Sequence, residues 1–135
     1  MFIGEVVIYA DGGCENNGSQ QARAFGSYVL RAYRDGELLK TVRSGRLDFP
    51  QHNTNNAAEL QIVLEALKAL QPGVYSIRII SDSQLAVNVL SGTWQTNKPH
   101  LQALVNDIKF KELCDFPNVS YEWVRRDVIV RELGH

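Results

Sequence analysis

Glu5-Val-Val-Ile-Tyr-Ala-Asp-Gly-Gly13 is an apolar run that stops on a carboxylate and a glycine pair. A strand covered on both faces of a sheet has this near-continuous apolar character, where a half-exposed strand alternates. An aspartate closing such a strand stands at the rim of the sheet, where open α/β sheets receive their ligands. Two further acidic residues each open a helix-like segment: Glu59 in Asn-Asn-Ala-Ala-Glu-Leu60 and Asp82 in Ile-Ile-Ser-Asp-Ser-Gln84. If the strands holding Asp11 and Asp82 are neighbours, three carboxylates converge on one edge, an arrangement suited to metal-assisted phosphate chemistry.

Working outward, Asn17-Gly18 is a turn signal, residues 24–33 read as a second strand, and Asp35-Gly36 is a hairpin signal returning the chain as a third strand over 37–44. Residues 45–54 read as an irregular link. Leu60, Val63, Leu64, Leu67 and Leu70 recur at helical spacing and predict a helix from Asn56 to Leu70. A short buried strand over 75–80 leads into a helix over 83–90, stopped by Gly92. Pro99 suits the first turn of a third helix with Leu101, Leu104, Val105 and Ile108 on its buried side. Val119 to Val124 alternates as a fifth strand, and residues 127–133 read as two short helical turns. The order predicts one α/β domain over residues 1–135, with a five-stranded mixed sheet, the first three strands antiparallel, and helices on both faces.

The 135 residues are 44% hydrophobic and 21% charged, enough for a core and ordinary for a globular chain. No apolar run reaches the roughly 20 residues of a membrane span, and the N-terminus lacks a signal peptide's basic region. Cys14 and Cys114 have no metal-ligand spacing and read as reduced thiols. A net charge of −1 provides no global basic field, so any nucleic acid must be met by local patches.

Tyr9-Ala-Asp-Gly-Gly13, Asn53-Thr-Asn-Asn-Ala-Ala-Glu-Leu60 and Ile80-Ser-Asp-Ser-Gln84 together resemble the three signature segments of type 1 ribonuclease H, and the order of elements resembles that family's fold along nearly the whole chain. The resemblance implies a ribonuclease H-like fold and metal-dependent endonucleolytic hydrolysis of the RNA strand of an RNA–DNA hybrid. It implies Asp11, Glu59 and Asp82 as catalytic metal ligands, with Asp11 shared between two Mg²⁺ ions and Mn²⁺ as the alternative metal. An oxygen-only donor set suits these hard cations better than zinc. Asn17, Asn55, Asn56 and Gln84 are implied as contacts that sense the RNA 2′-hydroxyl, with Thr54 facing the DNA backbone and Trp94 contributing a DNA-side surface. The absence of a basic insertion between the second and third helices resembles the compact form without a substrate-binding handle. A monomer in the cytoplasm, away from membranes, completes the expectation.

Two departures stand out. The family's Asn-Pro-Gly turn is Asn16-Asn-Gly18 here. The family's fourth active-site aspartate falls on Leu133 in an ungapped match, leaving Glu132, then His135, then Asp127 as substitutes. Each carboxylate also has a structural alternative: Glu59 stands at capping-box spacing from Asn56, Asp82 is an N-cap candidate, and Asp11 is a turn candidate. Trp123 reads as a packing residue, His52 and His100 as surface residues, and Arg125, Arg126 and Arg131 as either a phosphate-contacting patch or a solvated terminus. Beside the hybrid nuclease stand two other readings, a hybrid-binding module without turnover and a different nuclease of the same superfamily, such as an exonuclease or resolvase.

Overall fold

A computed structural model describes residues 3–134. The elements are β1 (Glu5–Glu15), β2 (Arg23–Arg34), β3 (Glu37–Arg43), β4 (Leu47–Phe49), α1 (Asn55–Lys68), β5 (Ser76–Ser81), α2 (Gln84–Leu90), α3 (Pro99–Asp115), β6 (Val119–Trp123) and α4 (Arg126–Leu133). The strands lie in the order β3-β2-β1-β5-β6, with β1, β2 and β3 antiparallel and β5 and β6 running parallel to β1.

Alternation along β1 sends its side chains to two faces. Val6, Ile8 and Ala10 join Leu60, Ile62 and Leu67 of α1 and Leu101, Leu104 and Ile108 of α3 in the larger core. Val7 points the other way and packs with Ile80 and with Ile129 of α4. Each fully buried Leu or Ile contributes roughly 1.5–3 kcal/mol, so the larger cluster dominates stability, while α4 is held chiefly by Ile129, its one fully buried residue.

Two expectations are corrected and one is met. The link over 45–54 contains β4, whose Leu47 and Phe49 pair with Gly26 and Ala24; three residues are too few for a periodic signal. The helical turns expected at the end are α4, which Gly134 closes at φ 80°. β1 does not stop at the glycine pair. Its antiparallel pairing with β2 continues through Gly12 opposite Gly26 to Glu15 opposite Arg23, whereas its parallel pairing with β5 ends at Tyr9 opposite Ile80. Asp11 therefore stands just past the point where β1 outruns β5.

Candidate active site

The turn after β5 places Asp82 directly beside that overhang. Ser81 Oγ accepts the Ser83 N–H at 3.0 Å, and Ser83 Oγ caps α2 by accepting the Ala86 N–H at 3.0 Å. Trp123, at the end of the neighbouring β6, donates its indole N–H to the Asp82 carbonyl at 3.0 Å. The aspartate is thus tied down on three sides through the backbone around it, leaving its carboxylate for other partners. Ser83, rather than Asp82, is the cap of α2.

Glu59 arrives from α1. Thr54 is the N-cap, its Oγ1 accepting the Ala57 N–H at 3.2 Å, so Glu59 is not the far end of a capping box on Asn56. The helix approaches β1 at Gly12, where a β-carbon would stand 2.5 Å from the backbone of Ala58 and from the Glu59 nitrogen. Only a residue without a side chain permits that approach, and the approach delivers the Glu59 carboxyl to Asp11. One oxygen from each of Asp11, Glu59 and Asp82 lies within 4.8 Å of the others.

Asp11 is 6% and Glu59 9% exposed. Among the described residues, Glu59 Oε2 is buried with no hydrogen-bond partner. Burial, then the nearby charges of Asp11 and Asp82, push the Glu59 carboxyl well above its ordinary range, while a backbone hydrogen bond from Gly12 pulls it partly back. A buried acceptor without a donor is costly, and a bound cation removes that cost. Among the described residues the cluster offers carboxylate oxygens without sulfur or imidazole, a donor set that suits Mg²⁺ or Mn²⁺, and a cation there would give the Glu59 oxygen a partner.

Arg126, in the first turn of α4, donates from Nη1 to Asp11 Oδ1 at 2.6 Å and to Asp82 Oδ2 at 3.1 Å. In the sequence it was one member of a basic patch; the fold separates it from Arg125, which pairs with Asp127 at 3.2 Å, and from Arg131, whose nearest carboxylate is Glu132 at 3.8 Å. Glu132 itself accepts from Arg31 Nη1 at 2.6 Å, and its backbone carbonyl accepts from Arg43 at 3.3 Å. The structure therefore brings together Asp11, Glu59 and Asp82, and directs Glu132 and Asp127 to arginines. Leu133 shares a groove with Asp11, Ser27, Arg43 and Arg46. His135 lies outside the described residues.

The amide candidates fall near the same edge. Asn17 Oδ1 accepts the Asn55 N–H at 2.8 Å, and Gly18 N donates to the Asn53 carbonyl at 2.8 Å, so the β1–β2 turn is docked on the start of α1. Asn17, Asn55, Asn56 and Gln84 are all exposed, the last three in the opening turns of α1 and α2. Thr54 Oγ1 accepts its capping bond from the Ala57 N–H and keeps its O–H as a donor. Trp94 is 46% exposed, and Trp123, read from the sequence as packing, is 42% exposed beside Asp82. His52 is half-buried against Gln61, with Nε2 at 2.8 Å from Oε1, rather than a free surface residue; His100 is exposed.

A cluster of acidic side chains at the carboxyl edge of a mixed α/β sheet, with α1 and α2 starting beside it, is an arrangement of oxygen donors that could hold a metal ion. The chain belongs to the RNase H family, whose model matches residues 4–126. Ribonuclease H of Symbiobacterium thermophilum is 36% identical, with the match covering 90% of this chain and 80% of that one. Ribonuclease H of Syntrophomonas wolfei is 34% identical over 69% of this chain, and the match spans 57% of that relative's length. LC11-RNase H1, solved in complex with an RNA/DNA hybrid, superposes with a TM-score of 0.76, covering 93% of this chain and 89% of that chain; at 23% identity this likeness concerns the fold. Among the described residues, no helix is long and apolar enough to cross a membrane.

Proposed function

We propose that this protein is an endonuclease hydrolysing the RNA strand of RNA–DNA hybrids, with Asp11, Glu59 and Asp82 holding Mg²⁺, or Mn²⁺, at a two-ion site. The observation that carries the reading is the convergence of the three carboxylates around the unpartnered, buried Glu59 oxygen. When bound, divalent ions supply the Lewis acidity that activates a water and stabilises the charge developing on the phosphate.

The chain's own residues do the rest. Asp11, held by β2 on the overhang of β1, offers an oxygen within 4.8 Å of one from each of Glu59 and Asp82. Glu59 and Asp82 are fixed by the Gly12 approach and by the Ser81–Ser83 turn, so the ligands are ordered before any substrate arrives. Asn17, Asn55, Asn56 and Gln84 stand exposed near this edge as both donors and acceptors, the chemistry needed to read a 2′-hydroxyl in a wide minor groove. Thr54, which caps α1, is the contact proposed to face the DNA backbone. For the fourth group, Glu132 reaches the cluster only by leaving Arg31, so three carboxylates carry the proposal.

One observation favours a second reading. With Glu132 committed to Arg31 and Leu133 lining the groove that Asp11 also lines, the site is also compatible with a module that binds the hybrid without turning it over. Incubating the protein with labelled RNA–DNA hybrid, RNA duplex and DNA duplex, in Mg²⁺ and in Mn²⁺, separates the two. Cleavage confined to the hybrid and lost in Asp82→Asn supports the nuclease. Tight hybrid binding with no cleavage in either metal overturns it in favour of the module.

A further inference from the structure

Arg126 bridges two of the three carboxylates that would hold a cation. Its guanidinium stays protonated at any working pH and donates in fixed directions, and a single Nη1 reaches Asp11 Oδ1 and Asp82 Oδ2. The two acceptors differ from their donor in exposure. Asp11 and Asp82 have side chains 8% and 11% exposed, whereas the Arg126 side chain is 57% exposed. The helix that carries it is anchored elsewhere, by Ile129 at 0% exposure. The arginine can therefore swing into solvent without unpacking α4 or disturbing either aspartate. Glu59, buried and lacking a partner on Oε2, is the third wall of the same space.

We propose that Arg126 is a resident counter-cation of the site, which a divalent ion must displace from Asp11 and Asp82 in order to bind. Both cations draw on the same two carboxylates, so the arginine lowers the apparent metal affinity by competition. This inference rests on the reading of Asp11, Glu59 and Asp82 as a cation site.

The test is isothermal titration of Mg²⁺ and of Mn²⁺ into the wild type, Arg126→Gln and Arg126→Lys, all without nucleic acid. Removing a partly exposed charged donor should tighten metal binding in Arg126→Gln by about tenfold, equivalent to ~1.4 kcal/mol. Arg126→Lys, which keeps the charge, should bind near the wild-type value. In the wild-type protein alone, the Arg126 Nε–Hε resonance should shift and sharpen as Mg²⁺ is added, which decides the matter even where Arg126→Gln does not fold. Equal or weaker metal binding by a folded Arg126→Gln, or an Arg126 resonance indifferent to metal, overturns the inference and leaves the cation site intact. Absence of metal binding by both wild type and variant overturns the cation site itself, and the inference with it.

Discussion

Arg31 holds Glu132 at 2.6 Å across the sheet face that α4 covers, and the pair is about one-fifth exposed on each side. The carboxylate nearest in sequence to the expected fourth ligand is thus part of what fastens α4 to β2. Glu132→Gln is expected to lower stability by about 1 kcal/mol, the worth of a partly exposed ion pair. Cleavage should fall by less than about tenfold, against the ~100-fold or more expected for a group acting in the transition state. Chemical denaturation and single-turnover rates, measured together, check both halves.

Asp11→Asn keeps the shape and removes one charge from the centre of the cluster. Hybrid cleavage should drop by roughly three orders of magnitude or more, in line with other losses of charge stabilisation at a reacting centre, while the circular dichroism spectrum stays unchanged. Retention of wild-type cleavage would show that the carboxylate cluster is not the reacting site.

Glu59 gives the metal-free protein a pH dependence. The folded chain holds the Glu59 proton more tightly than the unfolded chain, whose carboxyl titrates near its ordinary value of 4.5. Below that value this carboxyl costs no stability. As pH rises through it and up to the raised folded value, the folded state must either keep the proton or bury a charge, and stability falls. Metal-free Glu59→Gln should therefore melt higher than metal-free wild type near neutral pH, with the difference vanishing in acid. Added Mg²⁺ should raise the wild-type melting temperature and leave that of the variant almost unmoved. A thermal scan across pH, with and without metal, is the measurement.

Gly12→Ala tests the approach of α1 to the sheet. The added methyl meets backbone rather than a flexible side chain, so the helix itself must retreat, and a loss of about 3 kcal/mol is expected, at the upper end of overpacking costs. The Glu59 carboxyl would withdraw with the helix, so metal affinity measured by titration should fall alongside stability.

Most of the architecture was legible because its signals are periodic. The apolar run through Val6 and Ile8, the Leu60–Leu67 stripe and the Asp35-Gly36 hairpin each announce their element locally. Asp11, Glu59 and Asp82 could be singled out as ends and beginnings of such elements. What sequence could not supply depends on distances between elements. The role of Arg126 is set by where α4 docks, 115 residues from Asp11 along the chain. The tie from Trp123 to the Asp82 carbonyl depends on β6 lying beside β5, and β4 is too short to carry a period of its own. The overhang of β1 was hidden as well, because a glycine pair reads as a stop although a strand can continue through it when its partner, here Gly26, is equally bare.

The mismatch between the two sides of β1 has a wider consequence. β5 ends at Ser81, while β1 runs on to Glu15 along β2. The place of the carboxylate cluster is therefore written as an offset between strand lengths, like a step cut into a plank, and not as the shape of a loop. Connections such as the β2–β3 hairpin or the segment between α2 and α3 can lengthen or shorten without shifting that step. Removing a single residue from β1 ahead of Asp11 would turn its side chain to the opposite face of the sheet and abolish the site in a chain that still has every carboxylate.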